Sequence, residues 1–210
     1  MTLDTDWVRA WMTAAAAAIG EHKQELNTLD REIGDGDHGE NMDRGVRAAV
    51  TALDGLPEGS NPGAAFRSIA MTLISTVGGA SGPLYGTAFL KAAEPAGAAD
   101  EIDGATLVAM LRAARDGIVS RGKAEPGDKT MVDAWTPAVD AAAAAQEGGA
   151  SPHDILVAAA DAAEQGAVAT EPLVARKGRA SYLGERSAGH RDPGAQSTAL
   201  LLRAAAEVTG

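Results

Sequence analysis

The segment Asp30-Arg31-Glu32-Ile33-Gly34-Asp35-Gly36-Asp37-His38-Gly39-Glu40-Asn41 holds five acids and one arginine, a net charge of −4 in twelve residues. Carboxylates crowded in this way raise one another's pKa unless a cation lies among them. A single glycine separates Asp35 from Asp37, so a loop can turn both toward one point. Asp30, at the end of a preceding helix, reaches the same point if the chain folds back. Gly34, Gly36 and Gly39 supply the backbone freedom for that turn. Three hard oxygen donors suit Mg²⁺, which keeps positions open for waters and phosphate oxygens.

Three other patterns compete for this segment. Gly34-x-Gly36-x-x-Gly39 matches the dinucleotide fingerprint letter for letter, but a helix precedes it where a strand is required, and aspartates occupy the variable positions. The start also matches an EF-hand loop, yet its fifth and twelfth positions would be Gly39 and Val46, which offer Ca²⁺ no side-chain ligand. Asp37 with Glu40 three residues on reads as a helix capping box. That box accounts for two of the acids and leaves Asp30, Asp35 and the glycines unexplained.

Two further stretches carry anion chemistry. Gly78-Gly79-Ala80-Ser81-Gly82 joins two expected helices, and a glycine turn at a helix start presents free N–H groups to phosphate oxygens. The run Gly127-Asp128-Lys129-Thr130-Met131, and Gly122 before it, are weaker signals of the same kind. Between about 173 and 191, Arg176, Lys177, Arg179, Arg186 and Arg191 stand against Glu185, a net of +4, so the rest of the chain carries −15. A basic, glycine-containing loop on an acidic protein reads as a lid over an anion. No G-x-x-x-x-G-K-[ST] is present. Carboxylates for Mg²⁺, glycine N–H groups and arginines together are the equipment of phosphoryl transfer; the phosphoryl acceptor stays open at this level.

The elements that must position these groups read as helices throughout. Helical periods recur between Gly, Pro and Asp clusters, giving eight expected helices at 5–29, 38–55, 62–77, 83–95, 104–121, 130–146, 152–172 and 193–207. Their starts carry caps: Asn61 before Pro62, Asp103 before Gly104, Ser151 before Pro152 and Asp192 before Pro193. Short connections imply antiparallel neighbours. Expected core positions are Trp7, Trp11, Trp135, Leu107, Leu111, Ile118 and Leu200, the first two on one helix face. The expectation is a single all-α domain over 1–210.

Composition agrees and excludes much else. The 210 residues include 47 alanines and no cysteine, which removes disulfides, thiolate nucleophiles and Cys-ligated metals. A pI near 4.7 argues against nucleic acid as a partner. Asp4 and Asp6 stand where a signal peptide needs basic residues. The 23 uncharged residues from Ser68 to Leu90 are broken by Gly78, Gly79, Gly82 and Pro83, which fits two buried helices and a turn better than a membrane span. The expected setting is the cytoplasm.

Four stretches closely resemble one family, the nucleotide-binding L subunit of dihydroxyacetone kinase: 34–42 (GDGDHGENM), 78–87 (GGASGPLYGT), 127–133 (GDKTMVD), and 178–187 (GRASYLGERS) continuing to 189–195 (GHRDPGA). They span nearly the whole chain and depart from the family at no motif position. The resemblance implies an eight-helix antiparallel up-and-down barrel with the nucleotide at one end. It implies that Asp30, Asp35 and Asp37 hold two Mg²⁺ ions, with Arg179 joining them as a catalytic group. His38, Gly39, Asn41, Gly79, Ala80 and Ser81 would line a phosphate cradle for ADP or ATP. Gly122, Met131, Arg179, Asp192, Pro193 and Gly194 would contact the nucleotide. In the family the sugar is carried by a K subunit or domain that this sequence lacks. The implied activity is therefore a phosphoenolpyruvate-driven dihydroxyacetone kinase, with a phosphohistidine carrier M subunit recharging bound ADP. Two alternatives remain: use of free ATP for another small ketose, and a regulatory module read by a transcription factor.

Overall fold

A computed structural model describes residues 2–209. Nine α-helices account for most of them: α1 (Thr5–Glu21), α2 (Lys23–Ile33), α3 (His38–Asp54), α4 (Pro62–Thr76), α5 (Ser81–Ala96), α6 (Gly104–Gly122), α7 (Val132–Glu147), α8 (Pro152–Ala169) and α9 (Pro193–Glu207). A 3₁₀ segment, Arg179–Ser187, lies between α8 and α9. An isolated bridge between Leu3 and Ile102 is the one β-type pairing among the described residues.

The expected caps form as read. The side chains of Asn61, Asp103, Ser151 and Asp192 each accept from a backbone N–H three residues on. The expected helix 5–29 divides at His22, two residues after Gly20, and its second part runs on to Ile33. Glycine weakens a helix interior, and the break lets α1 and α2 follow the curvature of the neighbours they share. Helix α8 stops at Ala169, short of the expected 172: Pro172 disfavours helical backbone at Glu171, and the Thr170 hydroxyl donates back to the Ala167 carbonyl.

Each helix packs on its chain neighbours, and α9 returns to α1, closing a ring of eight rods in which α1 and α2 act as one. Alanines line most contacts, so the axes approach closely and a few large side chains fill the axis. Trp7 stacks on Trp11 at 5.3 Å, and Trp11 meets Phe66 and Phe89 at 5.8 and 5.5 Å. These rings, with Trp135, Leu107 and Leu111, leave about 30 Å³ of free space, so the barrel is a packed core and not a channel. On α9 the large core side chains are Leu201 and Leu202, beside buried alanines; the expected Leu200 is half-buried at the margin.

Glycine is required where helices touch backbone to backbone. A Cβ at Gly39, in the first turn of α3, would lie 2.1 Å from the Lys23 carbonyl oxygen on α2. Gly39→Ala is expected to push α3 off α2 and to cost about 2 kcal/mol, read as a lower urea midpoint at unchanged slope.

Candidate functional site

The up-and-down order brings the starts of α3, α5, α7 and α9 to one end of the barrel. His38, Ser81, Met131 and Pro193, at or beside those four starts, line a single cleft of about 290 Å³. Four positive dipole ends therefore face one space, which favours anions. An adjoining pocket of about 260 Å³ shares Ala80, Leu84, Thr130 and Met131, and is lined further by Ile118, Gly122 and Val132. Its lining is mostly apolar, as a flat ring would require.

The acidic loop crosses the cleft. Asp30, Asp35 and Asp37 each bring one carboxylate oxygen within 4.8 Å of the other two. Asp30 Oδ2 accepts from the Asp37 and His38 N–H groups at 2.9 and 3.2 Å, so the Asp30 side chain caps α3 from outside. Asn27 caps the next turn by accepting from the Glu40 N–H at 3.1 Å. The competing capping-box reading of Asp37 and Glu40 fails, because those N–H groups are already taken; Asp37 makes no cap bond and its carboxylate stays free for the cleft. Gly36 has φ +80°, and a Cβ at Gly34 would overlap Asp30 Oδ1, so the turn tolerates no side chain at either place. Burial raises the Asp30 pKa, and the Asp35 charge adds to it against the two N–H donors. Three oxygens converging in this way, two of the acids exposed, match the hard-donor set of Mg²⁺.

The 3₁₀ segment and its flanks form a lid over this loop. Ala175, Ala180 and Leu183 pack on Ile33 of α2, and Arg179 reaches Asp35 at 3.1 Å. Lys177, Gly178 and Arg179 join the cleft wall. Residues 173–191 show no helical period in sequence because their few apolar groups are spent on this one small contact.

Below the glycine turn lies a polar network. His38 is buried, with Nε2 2.9 Å from Ser197 Oγ and Nδ1 3.3 Å from Ser81 Oγ. Tyr85 Oη meets Ser197 and Thr198 hydroxyls at 2.7 and 2.9 Å. Burial lowers the His38 pKa to about 4, so the ring is neutral at pH 7. An unfolded imidazole titrates near 6.5, so the folded state binds fewer protons between those values. Stability from His38 is thus complete above pH 6.5 and lost as pH falls toward 4. Urea unfolding of the protein beside His38→Gln is expected to show the difference in their stabilities shrinking by roughly 2–3 kcal/mol from pH 7 to pH 4.5.

Most of the residues singled out in sequence line the two pockets: Asp30, Asp35, Asp37, His38, Asn41, Gly79, Ala80, Ser81, Met131, Arg179, Asp192, Pro193 and Gly194 the cleft, and Gly122 the apolar pocket. Gly39 lies beneath the cleft, against α2. Burial pushes the Asp192 carboxyl up to about 7, with Lys129 pulling it down. Sequence reasoning missed Arg44, whose Nη2 donates to Asn41 Oδ1 at 2.5 Å and turns that amide, and gave no role to Tyr85, Ser197 or Lys129. Tyr85 and Lys129 lie inside stretches that the sequence singled out, but their individual roles are set by contacts with distant residues and not by those patterns.

Fold and site together define an all-helical domain able to hold a cation and a polyanion at the common end of four helices. The chain belongs to the DAK2 domain family, whose sequence model matches residues 32–207. It is 44% identical over 203 residues to the ADP-binding subunit of PEP-dependent dihydroxyacetone kinase from Escherichia coli strain K12, across 97% of this chain and 96% of that one. The ADP-binding subunit of the PTS-dependent dihydroxyacetone kinase of Lactococcus lactis is 42% identical over 210 residues, across 99% and 98% of the two chains. The crystal structure of the dihydroxyacetone kinase of C. freundii in complex with AMP-PNP and Mg²⁺ superposes with a TM-score of 0.72 at 27% identity. It covers 99% of this chain, which spans 34% of that kinase.

Proposed function

We propose that this single domain is the nucleotide-carrying subunit of a phosphoenolpyruvate-driven dihydroxyacetone kinase, a phosphotransferase working in the cytoplasm. Bound ADP receives a phosphoryl group from a phosphohistidine carrier subunit and passes it to dihydroxyacetone held on a separate subunit. The convergence of the Asp30, Asp35 and Asp37 oxygens at the starts of four helices carries this reading. The full-length similarity to ADP-binding subunits supports it.

In this reading the three aspartates hold two Mg²⁺ ions, which when bound neutralise charge on the phosphates. The N–H groups of Gly79, Ala80 and Ser81 donate to phosphate oxygens at the start of α5. His38, neutral and bonded on both ring nitrogens, holds the Ser81 hydroxyl in place. Asn41, fixed by Arg44, offers its amide to the same oxygens. Asp192, Pro193 and Gly194 border the sugar, and the pocket between Gly122 and Met131 takes the base. Arg179 swings from Asp35 to the transferring phosphoryl group and excludes water as the lid closes.

A second reading, exchange with free ATP, is favoured by the likeness to the C. freundii kinase in complex with AMP-PNP. Purified protein loaded with labelled ADP decides between them. Retention over many turnovers with rephosphorylation by the carrier supports the relay. Rapid exchange with added ATP supports the second reading, and no bound nucleotide in either case removes both.

A further inference from the structure

Lys129 lies in the loop between α6 and α7, with φ +62° and 1% exposure. A buried ammonium on a left-handed, non-glycine backbone is doubly costly, so its surroundings must hold it there. Nζ donates to the carbonyls of Thr170 at 2.6 Å, Glu171 at 3.3 Å and His190. Its three N–H groups are thereby used on three acceptors. Thr170 and Glu171 follow directly on α8, where an ammonium also meets the negative end of the helix dipole. His190 stands two residues before the Asp192 cap of α9. One side chain therefore grips the backbone where it enters the lid and where it leaves.

Other bonds close the neck of the loop on itself. The Gly189 N–H donates to the Glu171 carbonyl at 2.7 Å, Arg191 pairs with the Glu171 carboxylate at 2.7 Å, and the Asp192 N–H donates to Thr170 Oγ1 at 2.9 Å. Lys129 does something different, because it joins that neck to the loop whose Thr130 and Met131 border both pockets. The Arg176 N–H donating to the Asp128 carbonyl at 3.0 Å runs beside it. We propose that Lys129 is a positioning residue that fastens both ends of the lid to the rim of the apolar pocket, so that Arg179 is held over the carboxylates and bound nucleotide is retained. The retention half of this rests on the nucleotide reading above; the fastening half does not.

Lys129→Met keeps an unbranched side chain one atom shorter and removes its donors. Two measurements on the full chain test it: tryptic cleavage within 176–186 in the absence of nucleotide, compared with cleavage elsewhere, and the release rate of labelled ADP. Lid cleavage is expected to rise about tenfold while other sites hold, with ADP release faster by a similar factor. Lid cleavage at the parent rate, or a rise shared equally by all sites, overturns the proposal. Selective lid cleavage with no ADP bound by the parent protein upholds the fastening and removes the nucleotide reading instead. If the Met variant yields no folded protein, Lys129→Gln, which keeps an amide donor, takes its place in both measurements. Selective lid cleavage in that variant upholds the fastening, and cleavage at the parent rate or raised equally at all sites overturns it.

Discussion

Replacing Asp35 with Ala is expected to lower phosphoryl transfer by about a thousandfold or more and to leave the purified protein without nucleotide. The choice among the three aspartates matters. Asp30 caps α3 through two N–H groups, so its removal would confound loss of a metal ligand with loss of a helix start. Asp35 pairs, among the described residues, with Arg179 alone, and both side chains are exposed, Arg179 more so. Such an ion pair contributes little to stability. The thermal midpoint of Asp35→Ala should therefore stay close to the parent value while Mg²⁺-dependent nucleotide retention disappears. Unchanged ADP content after purification would refute the metal assignment, and Asp35→Asn should fail as Ala does, because a neutral oxygen cannot replace the charge.

Arg179→Ala is the second large effect. Without the cation, Arg179 is the group nearest to neutralising Asp35, at 3.1 Å. With Mg²⁺ held by the carboxylate, as proposed above, the guanidinium would be free to turn toward the phosphoryl oxygens. Its loss should cost about 10²–10³ in kcat, with a smaller change in nucleotide affinity, since the charge it meets develops during transfer. Removing the competitor should also tighten Mg²⁺ binding to the nucleotide-free protein. Arg179→Lys should recover little activity, because a point charge does not reproduce a planar fork of donors. Single-turnover transfer and Mg²⁺ titration, measured on the same variants, separate the two effects; weakened nucleotide binding with an unchanged single-turnover rate would assign Arg179 to the ground state alone.

The acidic loop and the glycine turn were legible because their chemistry lies within a dozen consecutive residues. A carboxylate cluster interrupted by glycines has few uses, and that argument needs no third dimension. The caps at Asn61, Asp103, Ser151 and Asp192 were equally local, since a cap and its N–H stand three residues apart. The apparent box of Asp37 and Glu40 shows the limit of the same rule. Its spacing is correct, but Asp30 and Asn27, held on α2, reach those N–H groups instead. Competition for a donor is settled by what packs nearby, which spacing does not record.

Local patterning thus determined the helices, the acidic character of the loop and the basic character of the lid, because each follows from residues in covalent succession. Tertiary structure decided the rest. The ring closure of α9 on α1 gathers four helix starts into one cleft. Burial makes His38 neutral. Lys129 meets carbonyls 41 to 61 residues away. Each of these depends on how helices pack, and an ammonium that ends on a backbone carbonyl leaves no mark on the identity of the residue it holds.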